Sequence, residues 1–307
     1  MLITDLSGIR RLFMSTPRRY YKVRVCIRPA APAVLPVFTG KVVKSLLIEA
    51  NPNMRNVFES AFNPKPVSIS TLYRFRGGKR EYLWKRAGSS KYPVVEPGEK
   101  LYFHIGFTED VEPMVLEAVY GLNGVETAGI KWFLEEVELH SYELPAPSDK
   151  IPEEYRISGK HGVKIEFRTP VLLIDPYKKS RYKRFLPTPG NVFAYNIGDL
   201  LRLERGRDYI NTVILVETVL NETYKVLETA KPVRYVYEGK ELPGITGYVN
   251  YVFDWDFIKE KEIETFLENL LLHASIMGIG SSRASGFGHV TIKLLEKPSE
   301  ETSKKES

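Results

Sequence analysis

The chain is expected to be an α+β protein made of two tandem ferredoxin-like (RRM-like) domains. Three observations predict this. Its 307 residues are too many for one small module and suit two domains of roughly 100–200 residues each. In the first half, apolar residues recur with strand and helix periods in the order strand, helix, strand, strand, helix, strand, which is the split βαβ arrangement. The second half returns to that order as a pattern, not as repeated residues.

Residues 21–29 predict the first strand, because Val23, Val25 and Ile27 alternate with Lys22, Arg24 and Cys26. A turn-rich stretch follows to Pro36. Thr39 then stands where a cap would open a helix to about Ala50, with Val42, Val43, Leu46 and Leu47 on its apolar face. Residues 66–75 alternate like a second strand, 82–86 extend it as a hairpin or basic loop, and 100–107 predict a third. Residues 109–120 predict a helix opened by acids, which suits its positive end. Residues 129–142 predict a long fourth strand. The first domain is therefore placed at 1–145. Pro145, Pro147 and Pro152 punctuate the boundary stretch from Leu144 to Gly162, within which the linker is placed at 146–161.

The second domain is placed at 162–296. Residues 163–174 predict a strand bent at Pro170, and 177–189 a basic, proline-punctuated loop. Residues 191–204 predict a helix and 208–228 an extra one. A hairpin is expected around Gly239-Lys-Glu-Leu-Pro-Gly244. Residues 257–277 predict one strong helix, with Phe266, Leu270 and His273 on one face. The last strand is expected at 289–295, and the polar tail 297–307 is expected to be disordered.

The composition narrows the function. No apolar run approaches the ~20 residues of a membrane span, and the first residues carry no basic-then-apolar leader. A single cysteine, Cys26, excludes an internal disulfide and four-cysteine zinc sites, and fits a reducing, cytoplasmic setting. Neither histidine pairs with ligand spacing nor an Asp/Glu cluster suggests a metal site, so no metal and no cofactor are expected. Forty-four Lys and Arg against 38 Asp and Glu leave a net charge of +6, which favours a polyanionic partner. Eighteen Tyr and fifteen Phe often adjoin cations, as in Tyr73-Arg-Phe-Arg76. Cations meet phosphates while rings stack on bases. The competing explanation, strand core, holds for most of these rings.

The segment Gly278-Ile-Gly-Ser-Ser-Arg-Ala-Ser-Gly-Phe-Gly288 carries the sharpest signal. Gly278 and Gly280 end the strong helix, and Gly286 and Gly288 open the last strand. Such glycine density allows φ > 0 and lets a ligand approach main-chain N–H groups. Ser281, Ser282 and Ser285 add hydroxyls, and Arg283 adds a fork-shaped cation suited to phosphate. A dinucleotide fingerprint needs strand, glycines, then helix, and the order here is the reverse. A Walker loop needs Gly-Lys-Ser or Gly-Lys-Thr, which is absent. Arg234 and Lys240, on and beside the hairpin turn, are candidate phosphate contacts, with ordinary surface cations as the alternative.

This segment resembles the C-terminal motif of the CRISPR repeat-processing endoribonucleases, the Cas-six family: Gly-x-Gly, a basic residue, then Gly-Phe-Gly leading into a final strand. The resemblance implies tandem ferredoxin-like domains and RNA cleavage without a metal. In that chemistry a 2′-hydroxyl attacks the adjacent phosphate, leaving a 2′,3′-cyclic phosphate and a 5′-hydroxyl. It implies that Gly278, Gly280, Ser281, Ser282, Arg283, Gly286 and Gly288 hold the RNA of a CRISPR repeat transcript. A CRISPR effector complex and a homodimer are open as further partners. Members often place a catalytic histidine near the first helix. Here no histidine precedes His104, and Lys41, Lys44 and Lys65 occupy that region. The chain is similar to archaeal members with a lysine-rich site instead. Lys41 and Lys44, three residues apart, share a helix face, and mutual repulsion among the three lysines would lower a pKa. His289 is the histidine alternative for catalysis, beside the glycine-rich loop. His273 is expected to be a hydrogen-bonded core residue and His104 a structural one.

Overall fold

The computed structural model describes residues 6–60, 64–89, 91–127, 129–178, 183–202, 204–224 and 226–297. Most of the expected tail 297–307 therefore lies outside the described residues, as do positions 179–182 of the basic loop. The first domain's sheet is built around Arg18–Pro29, where Val23, Val25 and Ile27 are fully buried, as their alternation requires. That strand pairs antiparallel with Leu101–Thr108 on one side and Ile130–Leu144 on the other. Val67–Ile69 and Tyr73–Arg76 add to the far edge of Leu101–Thr108. In chain order the core strands thus lie 2-3-1-4, with the helices Gly40–Ala50 and Glu112–Tyr120 between them in sequence.

The second domain repeats the same order. Gly162–Val171 lies between Lys240–Phe253 and Val290–Leu295, and Ala230–Tyr237 adds outside Lys240–Phe253. Pro189–Leu201 and Glu264–Met277 are its ferredoxin-like helices. The tandem ferredoxin-like fold is as the sequence predicts.

Several elements differ, each for a local reason. The expected strand 66–75 is broken at Ser70–Leu72, where Ser70 Oγ accepts the His104 N–H and replaces part of the ladder. Thr39 is the residue before its helix but makes no cap. Its hydroxyl donates to the Leu83 carbonyl at 2.6 Å and accepts the Leu72 N–H at 2.9 Å. The six-residue hairpin loop is a two-residue turn at Glu238 and Gly239, both with positive φ, so Lys240 begins a strand. The long helix divides at Glu262, also at positive φ, into Trp255–Lys261 and Glu264–Met277. Asp254 caps the first piece by accepting the Phe257 N–H at 3.1 Å. The extra helix ends at Val219 and hands over to the short strand Leu220–Glu222.

The domains meet over a packed seam. The linker buries Ile151, Tyr155 and Ile157, and Asn269 brackets Ala146 through both its N–H and its carbonyl. An unpredicted N-terminal helix, Ser7–Met14, packs its Ile9 and Leu12 into the second domain's core. Gly106 sits so close to the last helix that a Cβ would strike the Ile276 carbonyl.

Candidate active site

The glycine-rich segment leaves the last helix at Gly278, turns through Arg283–Ser285, and enters the last strand after Gly288. Gly278, Gly280, Gly286 and Gly288 all have φ between +69° and +96°. Backbone crowding explains them as much as open access does. A Cβ on Gly280 would lie 2.7 Å from the Leu172 carbonyl, and one on Gly288 would strike the Ile279 carbonyl. The Ser281 and Gly288 N–H groups donate to the Leu172 and Pro170 carbonyls.

This loop docks on the first domain's helix. Gly40, the first residue of Gly40–Ala50, faces Gly286, and a Cβ there would lie 2.5 Å from the Ser285 carbonyl. A cleft of about 450 Å³ opens beside the contact. Lys65 of the first domain and Ser281, Ser282 and Arg283 of the second all line it. Residues 65 and 283 thus come together across the domain seam.

Lys65 stands between Pro64 and Pro66, and its ammonium donates to the Phe58 carbonyl. Burial, and then the neighbouring Lys44 ammonium, hold the Lys65 pKa below the ordinary lysine value. Lys44 Nζ lies 5.4 Å from the centre of the ring of that same residue, Phe58. Lys41 points to the second domain, where Nζ is 3.2 Å from Glu238 Oε1 and 5.1 Å above the Tyr237 ring. The structure therefore brings Lys44 and Lys65 together at Phe58 and holds Lys41 against the hairpin.

Arg283 is only 4% exposed. Its guanidinium pairs with Asp199 at 3.0 Å and lies 5.9 Å from the Tyr195 ring centre. Lys240 is in register with Tyr237, on the strand face whose Tyr235 and Tyr237 line the cleft. Arg234 alternates onto the opposite face and pairs loosely with Glu241. Sequence reasoning did not single out Lys183 or Tyr195 as site residues, yet both line the cleft. For Lys183 the signal was the basic run around it. Strand Lys183–Arg184 folds that run back onto Leu173–Ile174.

His289 takes another direction. Its ring stacks on His104 at 4.9 Å, and His104 stacks on Tyr73 at 5.4 Å. Burial, with Lys22, Arg80 and Arg168, pushes the His289 pKa down to about 3. It is absent from the cleft lining, as are Lys41 and Lys44. His273 is fully buried and its Nδ1 meets the Asn196 amide at 3.0 Å, as expected of a core histidine.

Two ferredoxin-like domains sharing a lysine- and glycine-lined cleft define a class, tandem ferredoxin-like proteins with a cationic seam. Comparison with known families narrows it. Residues 21–142 match the family model of the Cas6 N-terminal domain, and residues 165–290 match that of the CRISPR-associated endoribonuclease Cas6. The chain belongs to the Cas6 endoribonuclease family. It is 24% identical over 299 residues to CRISPR-associated endoribonuclease Cas6 1 of Saccharolobus solfataricus, covering 90% of this chain and 97% of that one. A second protein of that organism, Cas6 2, is 23% identical over 296 residues, covering 89% and 96%. Among solved structures, a Cas6 product complex superposes with a TM-score of 0.57 at 17% identity, over 92% of this chain and all of that one.

Proposed function

We propose that this chain cuts CRISPR precursor RNA within its repeats, without a metal ion, through a lysine site at the domain seam. The observation that carries this reading is that Lys65 and the glycine-rich loop line one cleft although more than two hundred residues of sequence separate them. The 2′-oxygen attacks the adjacent phosphorus, the bond to the 5′-oxygen breaks, and the products are a 2′,3′-cyclic phosphate and a 5′-hydroxyl. Lys65, with its depressed pKa, is the group suited to take the 2′-proton. Lys44 supplies a cation for the charge that develops on the phosphoryl oxygens, and an ammonium to protonate the leaving oxygen. Lys41 joins them once RNA phosphate replaces Glu238 as its partner.

In this reading Gly278, Gly280, Ser281, Ser282, Arg283, Gly286 and Gly288 shape the wall that holds the RNA backbone, Lys240 guides the strand at the cleft's outer end, and Arg234 meets RNA that passes the opposite face of the hairpin. The test is incubation of the full chain with repeat RNA in excess EDTA, followed by analysis of the ends. Cyclic phosphate ends are expected. Uncut RNA, or 3′-hydroxyl ends, would sink the reading. A second reading, a non-catalytic RNA-binding protein of a CRISPR effector complex, is favoured by the absence of any histidine before His104. Tight RNA binding with no single-turnover cleavage would select it.

A further inference from the structure

Behind the glycine-rich loop lies a closed polar chain that the cleavage chemistry does not use. Arg283 Nη2 donates to Asp199 Oδ2 at 3.0 Å, and His273 Nε2 lies 3.4 Å from the same oxygen. The Asn196 side-chain amide donates to the Gly278 carbonyl at 2.8 Å and meets His273 Nδ1 at 3.0 Å. An amide donating to Nδ1 leaves the imidazole proton on Nε2, facing the carboxylate. One helix, Pro189–Leu201, therefore grips the loop twice, at its first glycine and at its arginine.

The groups are built in. Arg283 is 4% exposed, His273 fully buried and Asp199 9% exposed. Burial opposes the Asp199 charge, but His273 and Arg283 outweigh it and hold the carboxyl at about 2. The carboxylate is thus ionised wherever the enzyme works. Tyr20 of the first domain packs edge-on against His273 at 5.0 Å, so the chain also touches the other half of the seam. Asp199 is absent from the loop-side cleft and lines a second one, of about 620 Å³, together with Arg18 and Arg202. Its direct contact with the glycine-rich loop is through Arg283.

We propose that Asp199 is a positioning residue for RNA cleavage, acting through Arg283 to fix the glycine-rich loop opposite Lys65. The inference rests on the cleavage reading above. A loop held to within a fraction of an ångström places the scissile phosphate, and a shift of about 1 Å can cost on the order of 10²-fold in rate.

The test is a double-mutant cycle on the full chain with repeat RNA, reading kcat and RNA affinity separately. Asp199→Asn is expected to lose at least about tenfold in kcat with affinity nearly unchanged. The double variant Asp199→Asn, Arg283→Gln is expected to cut at the rate of Arg283→Gln alone, because the first change acts through the second residue. That double variant carries no unpaired charge from this pair, so it decides the matter where the single variant fails to fold. Losses that add across the cycle, a loss confined to affinity, or a wild-type kcat in Asp199→Asn would each overturn the inference. Wild-type protein that leaves repeat RNA uncut would remove the proposed function, and the inference with it.

Discussion

Lys65, the proposed base, shows how far its surroundings move a residue from a free lysine. Two prolines stiffen its backbone, the Phe58 carbonyl receives its ammonium, and burial with Lys44 depresses its pKa. A base must be deprotonated to act, so the single-turnover rate should climb with pH and level off once Lys65 is neutral. Lys65→Arg keeps the positive charge but never deprotonates in this range. It should flatten that climb and cut by roughly 10²–10⁴-fold less at the plateau, which a pH–rate profile would measure. The Lys41–Glu238 pair makes a second prediction. Glu238 is 61% exposed and places a carboxylate beside the surface proposed to admit RNA. The pair itself is worth about 0–1 kcal/mol. Glu238→Gln should therefore tighten RNA binding several-fold at low salt, with the gain shrinking as salt rises, as titrations at two ionic strengths would reveal. A weaker complex would contradict this arrangement.

The seam between the first helix and the glycine-rich loop is set at the scale of elements. Gly40 lets the start of Gly40–Ala50 touch the loop's backbone, and no side chain can move aside to relieve a Cβ there. Gly40→Ala should cost about 1–3 kcal/mol and separate Lys44 and Lys65 from the loop. A lower melting temperature together with slower cleavage is expected, and unchanged values of both would refute the contact. Other elements were only partly legible in the sequence. Alternation in 23–27 and the apolar face at 42–47 marked their strand and helix, because periodicity is a local property. The break at Ser70–Leu72 was hidden, because a side-chain hydroxyl took the place of a ladder bond from a strand some thirty residues later. The division at Glu262 was equally hidden, since an apolar pattern runs through it and the left-handed residue carries no glycine.

Across the whole molecule, the seam holds histidines that cannot accept protons as free ones do. His289 has its pKa pushed to about 3, and burial with His289 and nearby cations takes His104 well below its ordinary value. The unfolded chain binds a proton at each as pH falls through about 6.5, while the folded chain does not. Stability should therefore be complete above about pH 7 and fall steadily toward the acid side, as melting curves between pH 7 and 4 would measure. His289→Phe removes that titration and keeps an aromatic ring, and it should make the decline shallower. An unchanged slope would show that the stack does not stay neutral.

The sequence alone determined the order of the core strands and helices, the tandem fold and the segment that marks the family. Each of these is written in neighbours along the chain: periodicity within ten residues, glycine spacing within eleven, a basic residue between them. Tertiary structure decided which partner each cation meets. Arg283, which by type should face phosphate, is paired with a carboxylate 84 positions away in sequence. Lys41 turns to a hairpin of the other domain, while Lys44 and Lys65 converge on Phe58. A buried charge takes whatever partner the packing brings to it, and that partner comes from a distant part of the chain.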